Sequence, residues 1–244
     1  MRGDGAPRFL PQGDAALVVE FGDRIDPAIN ARVHALAATL AAAPIAGMVE
    51  LVPTFRSLCL HYDPLDLDFA DLVGQVRARL AGLPEALAPG RRVTIPVCYE
   101  GDLAPDLADV ATRTGLTPDE VVRLHAASAY RVFMLGFLPG FAYMGSLPER
   151  LRLPRRASPR VRVPAGSVAI AMEMTAIYPL QSPGGWHLIG SAPTALFDIT
   201  ADPPALLRPG DEVRFEPVGR AAFEALRAAW QDGSARLDFD VAPP

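Results

Sequence analysis

Hydrophobic and polar positions alternate along the first ninety residues in a way that predicts strands and helices in turn. Residues 15–21 predict a strand, and residues 47–52 and 57–62 predict two more strands joined by a short turn. After the first strand, apolar residues recur on one face of a predicted helix, at Ile29, Val33, Leu36 and Leu40. A second predicted helix follows the third strand, with Asp68 as its N-cap. A strand at residues 91–99 completes the order strand, helix, strand, strand, helix, strand, which is that of the ferredoxin-like fold.

Residues 102–127 predict a pair of short helices. Gly115 is suited to end the first helix, and the second begins with TPDE, a capping box with proline at its first helical position. A helix-turn-helix that reads DNA has the same outline, but Asp119 and Glu120 begin its second helix and Arg123 is that helix's only cation. Because phosphates repel carboxylates at that position, we predict a plain helical hairpin and no nucleic-acid partner.

From Tyr130 onward, short β-like runs are separated by proline and glycine. The predicted strands are residues 130–135, 160–164, 167–172, 186–190 and 211–218. Regular spacing with turn signals is typical of a β-barrel or sandwich, and a last helix is predicted around residues 219–230. We therefore predict an α+β protein with a ferredoxin-like domain at residues 1–90 and a second domain at residues 91–244.

Composition narrows the classes of protein. Half of the 244 residues are hydrophobic, which is enough for a substantial core, and the net charge of −5 gives no general attraction to nucleic acid or anionic membrane. The chain contains arginine but no lysine, which excludes Schiff-base chemistry and a P-loop lysine. Cys59 and Cys98 are too few for a disulfide framework and predict free thiols in a reducing cytoplasm. No signal peptide, membrane helix or metal site is predicted.

Charge is distributed unevenly along the chain. Residues 121–197 contain eight arginines and two acids, within a protein that is acidic as a whole. For Arg150 and Arg152 we favour surface ion pairs with acids of the other domain. Arg155, Arg156 and Arg160 lie among prolines in LPRRASPR, and a stiff backbone reduces the entropy lost in holding guanidinium groups toward one target. These three predict a site for an anionic or strongly polar ligand.

Two uncharged, glycine-rich stretches flank the arginines, GFLPGFAYMG at 136–145 and YPLQSPGGWHLIG at 178–190. Their glycines permit positive φ or close backbone approach, while Pro139 and Pro183 fix the entry to each turn. Their aromatic residues are candidates for the wall of a pocket: Phe137, Phe141, Tyr143, Tyr178 and Trp186. The alternative is that these stretches are ordinary barrel corners with core aromatics.

Two further residues carry potential chemistry. His125 lies just before the strand that leads into GFLPGF, where a catalytic histidine and a structural one are both open interpretations. Ser182 has the hydroxyl of a nucleophile, but no GxSxG sequence surrounds it, and a turn serine is the simpler interpretation.

Three long runs, YRVFMLGFLPGFAYM, PRRASPRVRVPAGSVAIA and IYPLQSPGGWHLIG, resemble one family. It is the allophanate hydrolase subunit 1-like family, which includes the B subunit of prokaryotic 5-oxoprolinase, the sporulation kinase A inhibitor and part of the carboxyltransferase domain of urea carboxylase. The resemblance extends over essentially the whole chain and is strongest from His125 to Phe197. It implies a ferredoxin-like N-terminal domain and a cyclophilin-like β-barrel C-terminal domain.

The resemblance also implies an activity and partners. It implies a cytoplasmic protein that works with a C subunit of the allophanate hydrolase subunit 2-like type and an A subunit of the lactam-utilisation type. The complex opens the small amide 5-oxoproline to glutamate with ATP hydrolysis, and a requirement for Mg²⁺ is left open. Arginines facing the lactam oxygen and the transferred phosphoryl group would stabilise their charge.

Matching the family pattern residue by residue gives the candidate site. The resemblance implies catalytic roles for His125, Arg156 and Arg160. The residues that it implies for substrate binding are Phe137, Tyr143, Arg155, Tyr178, Ser182, Gly184, Gly185 and Trp186. Met174 and Ala176 depart from the family pattern, because a polar amide and a glycine are expected there, so the exact amide substrate stays open.

Two other functions remain as alternatives at this level. One is a non-catalytic inhibitor that binds a sensor histidine kinase, and the other is part of an amidohydrolase associated with allophanate or urea carboxylase.

Overall fold

The computed structural model describes residues 6–83 and 90–241, and the chain divides into two compact units, residues 1–88 and 89–244. The first unit has four strands and two helices. They are β1 (Arg8–Pro11), β2 (Ala16–Glu20), α1 (Pro27–Ala42), β3 (Met48–Pro53), β4 (Ser57–Tyr62) and α2 (Phe69–Leu80).

The sheet of the first unit is antiparallel, with the strand order β1-β2-β4-β3. Buried and partly exposed residues alternate along β4, so its buried residues face the same core as Leu17 and Val19 of β2. The apolar face predicted for α1 lies in this core. The predicted cap of α2 is confirmed, because the Asp68 carboxylate accepts a hydrogen bond from the Ala70 amide at 2.7 Å.

The prediction that the strand after α2 completes this sheet is wrong. Residues Arg91–Val97 form β5, which pairs in parallel with a strand of the second unit instead. The strand that lies beside β2 in that position is β1. The two strands are antiparallel and are joined by a turn in which Gly13 has φ 62°. With only four residues, β1 lacks the run of alternation that signals a strand, and Pro11 is tolerated because β1 is an edge strand.

The second unit contains the remaining strands and helices. Its strands are β5, β6 (Ala129–Leu135), β7 (Ala142–Gly145), β8 (Arg160–Val163), β9 (Ser167–Ala171), β10 (Met174–Ile177), β11 (Ser182–Gly184), β12 (His187–Ser191), β13 (Glu212–Pro217) and β14 (Phe239–Val241). Its helices are α3 (Leu107–Thr114), α4 (Pro118–Ala126) and α5 (Arg220–Gln231), with short 3-10 turns at Gly101–Leu103 and Glu149–Leu151.

Eight strands of the second unit form one mixed sheet in the order β12-β9-β10-β7-β6-β13-β5-β14, and β11 pairs with β8 in a separate ribbon. An isolated antiparallel bridge joins Cys98, just after β5, to Ser191 at the end of β12. The prediction of an α+β protein is confirmed at this level, with a small antiparallel sheet in one unit and a larger mixed sheet in the other.

The helical hairpin predicted before β6 is confirmed. Gly115 ends α3 in the left-handed conformation, with φ 67°. Thr117 and Glu120 form the predicted capping box of α4, each side chain bonding the backbone amide of the other. Short strands β7, β10 and β11 were not predicted, since each has only three or four residues, too few to show an alternating pattern.

The two cysteines are free, as predicted, with Cys98 buried and Cys59 half-buried. Over residues 6–83 and 90–241, no helix is both long enough and apolar enough to cross a membrane.

Candidate active site

A pocket of about 330 Å³ lies in the second unit where the two uncharged stretches and the arginine-rich segment meet. Eleven residues line it: Phe137, Phe141, Tyr143, Arg155, Arg156, Pro159, Tyr178, Pro183, Gly184, Gly185 and Trp186. The structure therefore brings together eight of the eleven residues expected at the site from the sequence. His125, Arg160 and Ser182 are not in the lining.

Phe141 is the centre of the aromatic wall. Its ring lies edge-on to those of Phe137, Tyr143, Tyr178 and Trp186, with centroid distances of 5.4, 4.9, 5.2 and 5.9 Å. The Phe141 side chain is buried, so the wall is an extension of the core and has a fixed shape. Edge-to-face contacts of this kind make a rigid apolar surface against which a flat ligand can lie.

The turn between β6 and β7 carries Phe137 to the mouth of this pocket. The Gly136 amide donates to the Phe141 carbonyl at 3.1 Å, which closes the turn. Phe137 has φ 69°, a left-handed conformation that is rare for an aromatic residue, and its side chain is 59% exposed. Gly140 also has positive φ, and a Cβ there would lie 2.8 Å from the Cβ of Phe197, so only glycine fits.

The second stretch forms the opposite wall through close backbone approach. A Cβ added at Gly184 would lie 2.3 Å from the Tyr178 hydroxyl, so the tyrosine rests against bare backbone. A Cβ at Gly185 would meet only Pro159, at an ordinary 3.8 Å. The Gly185 carbonyl accepts a hydrogen bond of 2.8 Å from the Arg156 amide, which ties the arginine segment to this wall.

Arg156 and Arg160 share one buried carboxylate, that of Asp106. Arg160 binds it with two hydrogen bonds, of 2.8 and 2.6 Å, and Arg156 adds one of 3.0 Å. The Leu188 amide donates to the same carboxylate at 2.7 Å. We call Asp106, Arg156 and Arg160 the Asp106 cluster. One anion between two cations leaves the cluster with a net positive charge beside the pocket.

Burial of Asp106 acts to raise its pKa. The hydrogen bonds from Arg160 and the Leu188 amide, with the positive charges of Arg160 and Arg156, outweigh burial and hold the pKa below its ordinary value. Asp106 is therefore ionised at neutral pH.

Arg155 differs from its two neighbours. It lines the pocket, its side chain is exposed, and it makes no hydrogen bond or ion pair with any other residue that the structure describes. Burial raises the pKa of both the Tyr143 and the Tyr178 hydroxyl, while the charge of Arg155 lowers it in each case. Because the net shift is upward, both hydroxyls keep their protons at neutral pH and can donate hydrogen bonds.

His125 lies in the core of the second unit, away from the pocket. Its Nε2 lies 2.9 Å from the Thr175 hydroxyl, which itself donates to the Ala169 carbonyl, so Nε2 carries the proton. Its Nδ1 then accepts from the Tyr99 hydroxyl at 2.8 Å. Burial lowers the pKa of His125 to about 3. The ring is stacked on Phe215 and is fully buried, so the structure does not bring it to the site.

Four further residues named in the sequence analysis lie outside the lining. Arg160 is bound to Asp106, and the Ser182 hydroxyl donates to the carbonyl of Pro183, its neighbour on β11. Met174 is buried on β10, with its sulfur 3.1 Å from the position of a Cβ at Gly145. Neither Met174 nor Ala176 lines the pocket, so the departures from the family pattern do not change its surface directly.

Asp106 was missed by sequence reasoning. The signal that pointed toward such a residue was the excess of arginine, since closely spaced guanidinium groups need an anion to lie together. Nothing in the sequence indicated which acid it was, because Asp106 is 50 residues from Arg156 and 54 from Arg160.

A larger groove of about 1160 Å³ lies between α4 and β13. Its lining carries both signs of charge, with Arg123 and Arg214 near Asp119 and Glu216. None of the residues expected at the site lines it. The smaller pocket is therefore the better candidate for an anionic ligand.

Comparisons with known proteins agree with one another. Residues 7–207 match the family model described as the carboxyltransferase domain, subdomain C and D. The chain is 41% identical over 226 residues to the B subunit of 5-oxoprolinase from Bacillus subtilis strain 168, covering 88% of this chain and 94% of that protein. It is 44% identical over 206 residues to the B subunit of 5-oxoprolinase from Escherichia coli O157:H7, covering 84% and 93%.

Solved structures extend the likeness to the fold. The crystal structure of TTHA0988 is 44% identical, with a TM-score of 0.75 over 83% of this chain and 40% of that longer chain. The urea carboxylase of Kluyveromyces lactis has a TM-score of 0.78 over 97% of this chain and 24% of that one. At 20% identity, the second likeness concerns the fold alone.

Proposed function

Because the chain belongs to the family of the carboxyltransferase domain, subdomain C and D, in which its similar relatives are B subunits of 5-oxoprolinase, we propose that it is the B subunit of a 5-oxoprolinase. The complex containing it converts 5-oxoproline to glutamate with hydrolysis of ATP. The protein is inactive by itself, since it contributes one part of a shared active site.

The pocket is the observation that supports a role in binding this substrate. Its volume of about 330 Å³ suits a compact amide, and its walls combine flat aromatic rings with an arginine and two tyrosine hydroxyls. A five-membered lactam that bears a carboxylate has the matching features, which are a flat ring, a carbonyl oxygen and one negative charge. We therefore propose that the seven substrate-binding candidates in the lining bind the substrate, and that Arg156, the catalytic candidate in the lining, acts through the charge of the Asp106 cluster.

The chemistry requires activation of a poor electrophile, because amide resonance stabilises the lactam carbonyl. Transfer of the γ-phosphoryl group of ATP to the lactam oxygen releases ADP and makes that oxygen a leaving group. Water then adds to the carbon and the C–N bond opens, with its electron pair and a proton going to the nitrogen, which leaves an acyl phosphate of glutamate. A second water molecule hydrolyses this acyl phosphate and releases phosphate and glutamate. In this chain, the net positive charge of the Asp106 cluster beside the pocket stabilises the negative charge that develops on the oxygens.

The nucleotide is bound elsewhere in the complex in this proposal. The chain has no lysine and therefore no P-loop lysine, and its pocket matches the size of the lactam. We propose that ATP, with Mg²⁺ on its phosphates, is held by the two partner proteins, which are of the allophanate hydrolase subunit 2-like type and the lactam-utilisation type.

The domain assignment is also part of the proposal. We propose a ferredoxin-like domain at residues 1–90 and a helical hairpin with a cyclophilin-like barrel at residues 91–244. In the first domain, two helices and a four-stranded antiparallel sheet support it. In the second, the Cys98–Ser191 bridge supports closure, since it connects the β12 edge of the large sheet with the end of β5.

The test is ATP-dependent release of glutamate from 5-oxoproline. The chain is assayed by itself, with the allophanate hydrolase subunit 2-like partner and with both partners, and complex formation is followed in parallel by size-exclusion chromatography. We expect activity in the full mixture only. Assembly without activity would refute the substrate, and urea or allophanate would then be assayed in its place. A failure to assemble would refute membership of this complex and favour the kinase inhibitor, for which binding to a sensor kinase is the next measurement.

A further inference from the structure

We infer that Arg155 is the residue that binds the carboxylate of the substrate, whereas Arg156 and Arg160 shape the wall behind it. This inference rests on the proposed function, because it assigns a particular group of the proposed substrate to a particular side chain. It gives the three arginines of this segment different roles on the basis of the contacts that each one makes.

The guanidinium groups of Arg156 and Arg160 already bind an anion of the protein itself, the carboxylate of Asp106. Together they make three hydrogen bonds to the Asp106 carboxylate, at 2.6 to 3.0 Å, and Asp106 is 4% exposed. Nη1 of Arg156 and both Nη atoms of Arg160 bind this carboxylate, and Nε of Arg156 is buried, so a ligand carboxylate could pair with two nitrogens of either group only by competing with Asp106 or by reaching a buried atom. Breaking those bonds would leave Asp106 charged and unpaired in the protein interior, which is strongly unfavourable.

Arg155 binds no carboxylate among the described residues. Its side chain is exposed at the pocket, and among residues 6–83 and 90–241 it has no hydrogen-bond or ion-pair partner. Its backbone is nevertheless fixed, since Pro154 precedes it and the Arg156 amide is bonded to the Gly185 carbonyl. A guanidinium group on an anchored backbone presents a planar pair of N–H donors that matches a carboxylate.

The groups beside Arg155 are suited to the other parts of the substrate, which are its carbonyl oxygen and its flat ring. Arg155 is close enough to Tyr143 and Tyr178 for its charge to influence both hydroxyls. Those protonated hydroxyls are suited to the lactam carbonyl, and the rings of Phe141 and Trp186 suit its flat face. The ligand class is therefore a small cyclic amide with a carboxylate on the ring.

The experiment compares two ligands that differ only in the carboxylate. In the assembled complex, KM is measured for 5-oxoproline, and the inhibition constant is measured for 2-pyrrolidinone, the same lactam without its acid. We expect Arg155→Gln to raise the KM for 5-oxoproline at least about tenfold. The inhibition constant of 2-pyrrolidinone should change less than about twofold, and Arg155→Lys should recover part of the loss.

The matched control is Arg162→Gln. Arg162 is an exposed arginine in the same segment that does not line the pocket, so its loss should leave both constants unchanged. Equal changes for both ligands, or a fall in kcat with an unchanged KM, would overturn the assignment of Arg155.

Direct binding separates this inference from the proposed function. Equilibrium dialysis of 5-oxoproline against the complex needs no turnover, so it remains informative if glutamate is never released. Binding that depends on Arg155 without glutamate release would refute the proposed reaction and support the inference. Glutamate release with binding indifferent to Arg155→Gln would refute the inference alone, and a complex that binds no 5-oxoproline would refute both.

Discussion

Replacing Asp106 with asparagine should weaken the second unit substantially while keeping the shape of the side chain. Asparagine retains one carbonyl oxygen, which can still accept from the Leu188 amide. That oxygen also keeps the bond from Arg160 Nη1. The bonds from Arg156 Nη1 and Arg160 Nη2 go to the other oxygen and are lost, because the amide NH₂ that replaces it faces guanidinium donors. Hydrogen bonds to charged groups contribute about 1.5–3 kcal/mol each. The two guanidinium groups are 30% and 25% exposed and can be partly rehydrated, so we expect a loss of about 2 kcal/mol in unfolding free energy.

The chain contains its own probe for this measurement. Both tryptophans, Trp186 and Trp230, lie in the second unit, so urea unfolding followed by tryptophan fluorescence reports on that unit. A loss of about 2 kcal/mol corresponds to about 4–8 °C in melting temperature for a unit of this size. Asp102→Asn is the control, since that carboxylate is exposed and pairs with Arg220 at the surface, where no measurable loss is expected.

The pH dependence tests the same reasoning. The pKa of Asp106 in the folded protein lies below its ordinary value of 3.8, so its contribution to stability is fully present well above 3.8 and is lost as pH falls through that value. The difference in unfolding free energy between wild type and Asp106→Asn should therefore shrink below about pH 4. A variant as stable as wild type at neutral pH, or a difference that does not change with pH, would refute the cluster as a source of stability.

Three other predictions concern the same unit. His125 has a pKa of about 3 in the folded protein, below its unfolded value of 6.5. The free energy of unfolding should therefore decline as pH falls from 6.5 toward 3, by at most about 1.4 kcal/mol per pH unit. In urea unfolding, the free energy of His125→Gln should depend less on pH over this range. Gly184→Ala should weaken substrate binding by displacing Tyr178, and a binding constant equal to that of the wild type would contradict the proposed pocket wall. Cys98 is fully buried with a raised thiol pKa, so a thiol reagent should modify it only after unfolding, and rapid native labelling at that position by mass spectrometry would contradict its placement.

Helix ends and amphipathic faces could be predicted from the sequence because they depend on neighbours within one or two turns. The capping side chain of Asp68 bonds an amide two residues away, and the Thr117–Glu120 box spans three. Gly115 ends its helix through its own backbone conformation. Such interactions are formed locally, whatever the rest of the chain does.

Strand partners were harder to predict. The segment Arg91–Val97 was correctly predicted to be a strand, but its sequence did not indicate which sheet it joins. Pairing depends on register and on the residues that face it, and β13 begins more than a hundred residues later. Fully buried strands such as β9 and β12 lack an alternation of polar and apolar residues, so the sequence does not indicate which strands they pair with either.

The segments that form the candidate site could be identified in the sequence: they are two glycine-rich aromatic stretches with an arginine segment between them. The role of each residue in them depends on the contacts that it makes after folding. In the folded protein, His125 is buried in the core. Arg156 and Arg160 bind an aspartate that is 50 and 54 residues away, and Arg155 is unpaired among the described residues. These roles could not be predicted because the chemistry of a side chain depends on its burial and on the charges around it. Both are set by segments that are distant in sequence and meet only when the sheet is assembled.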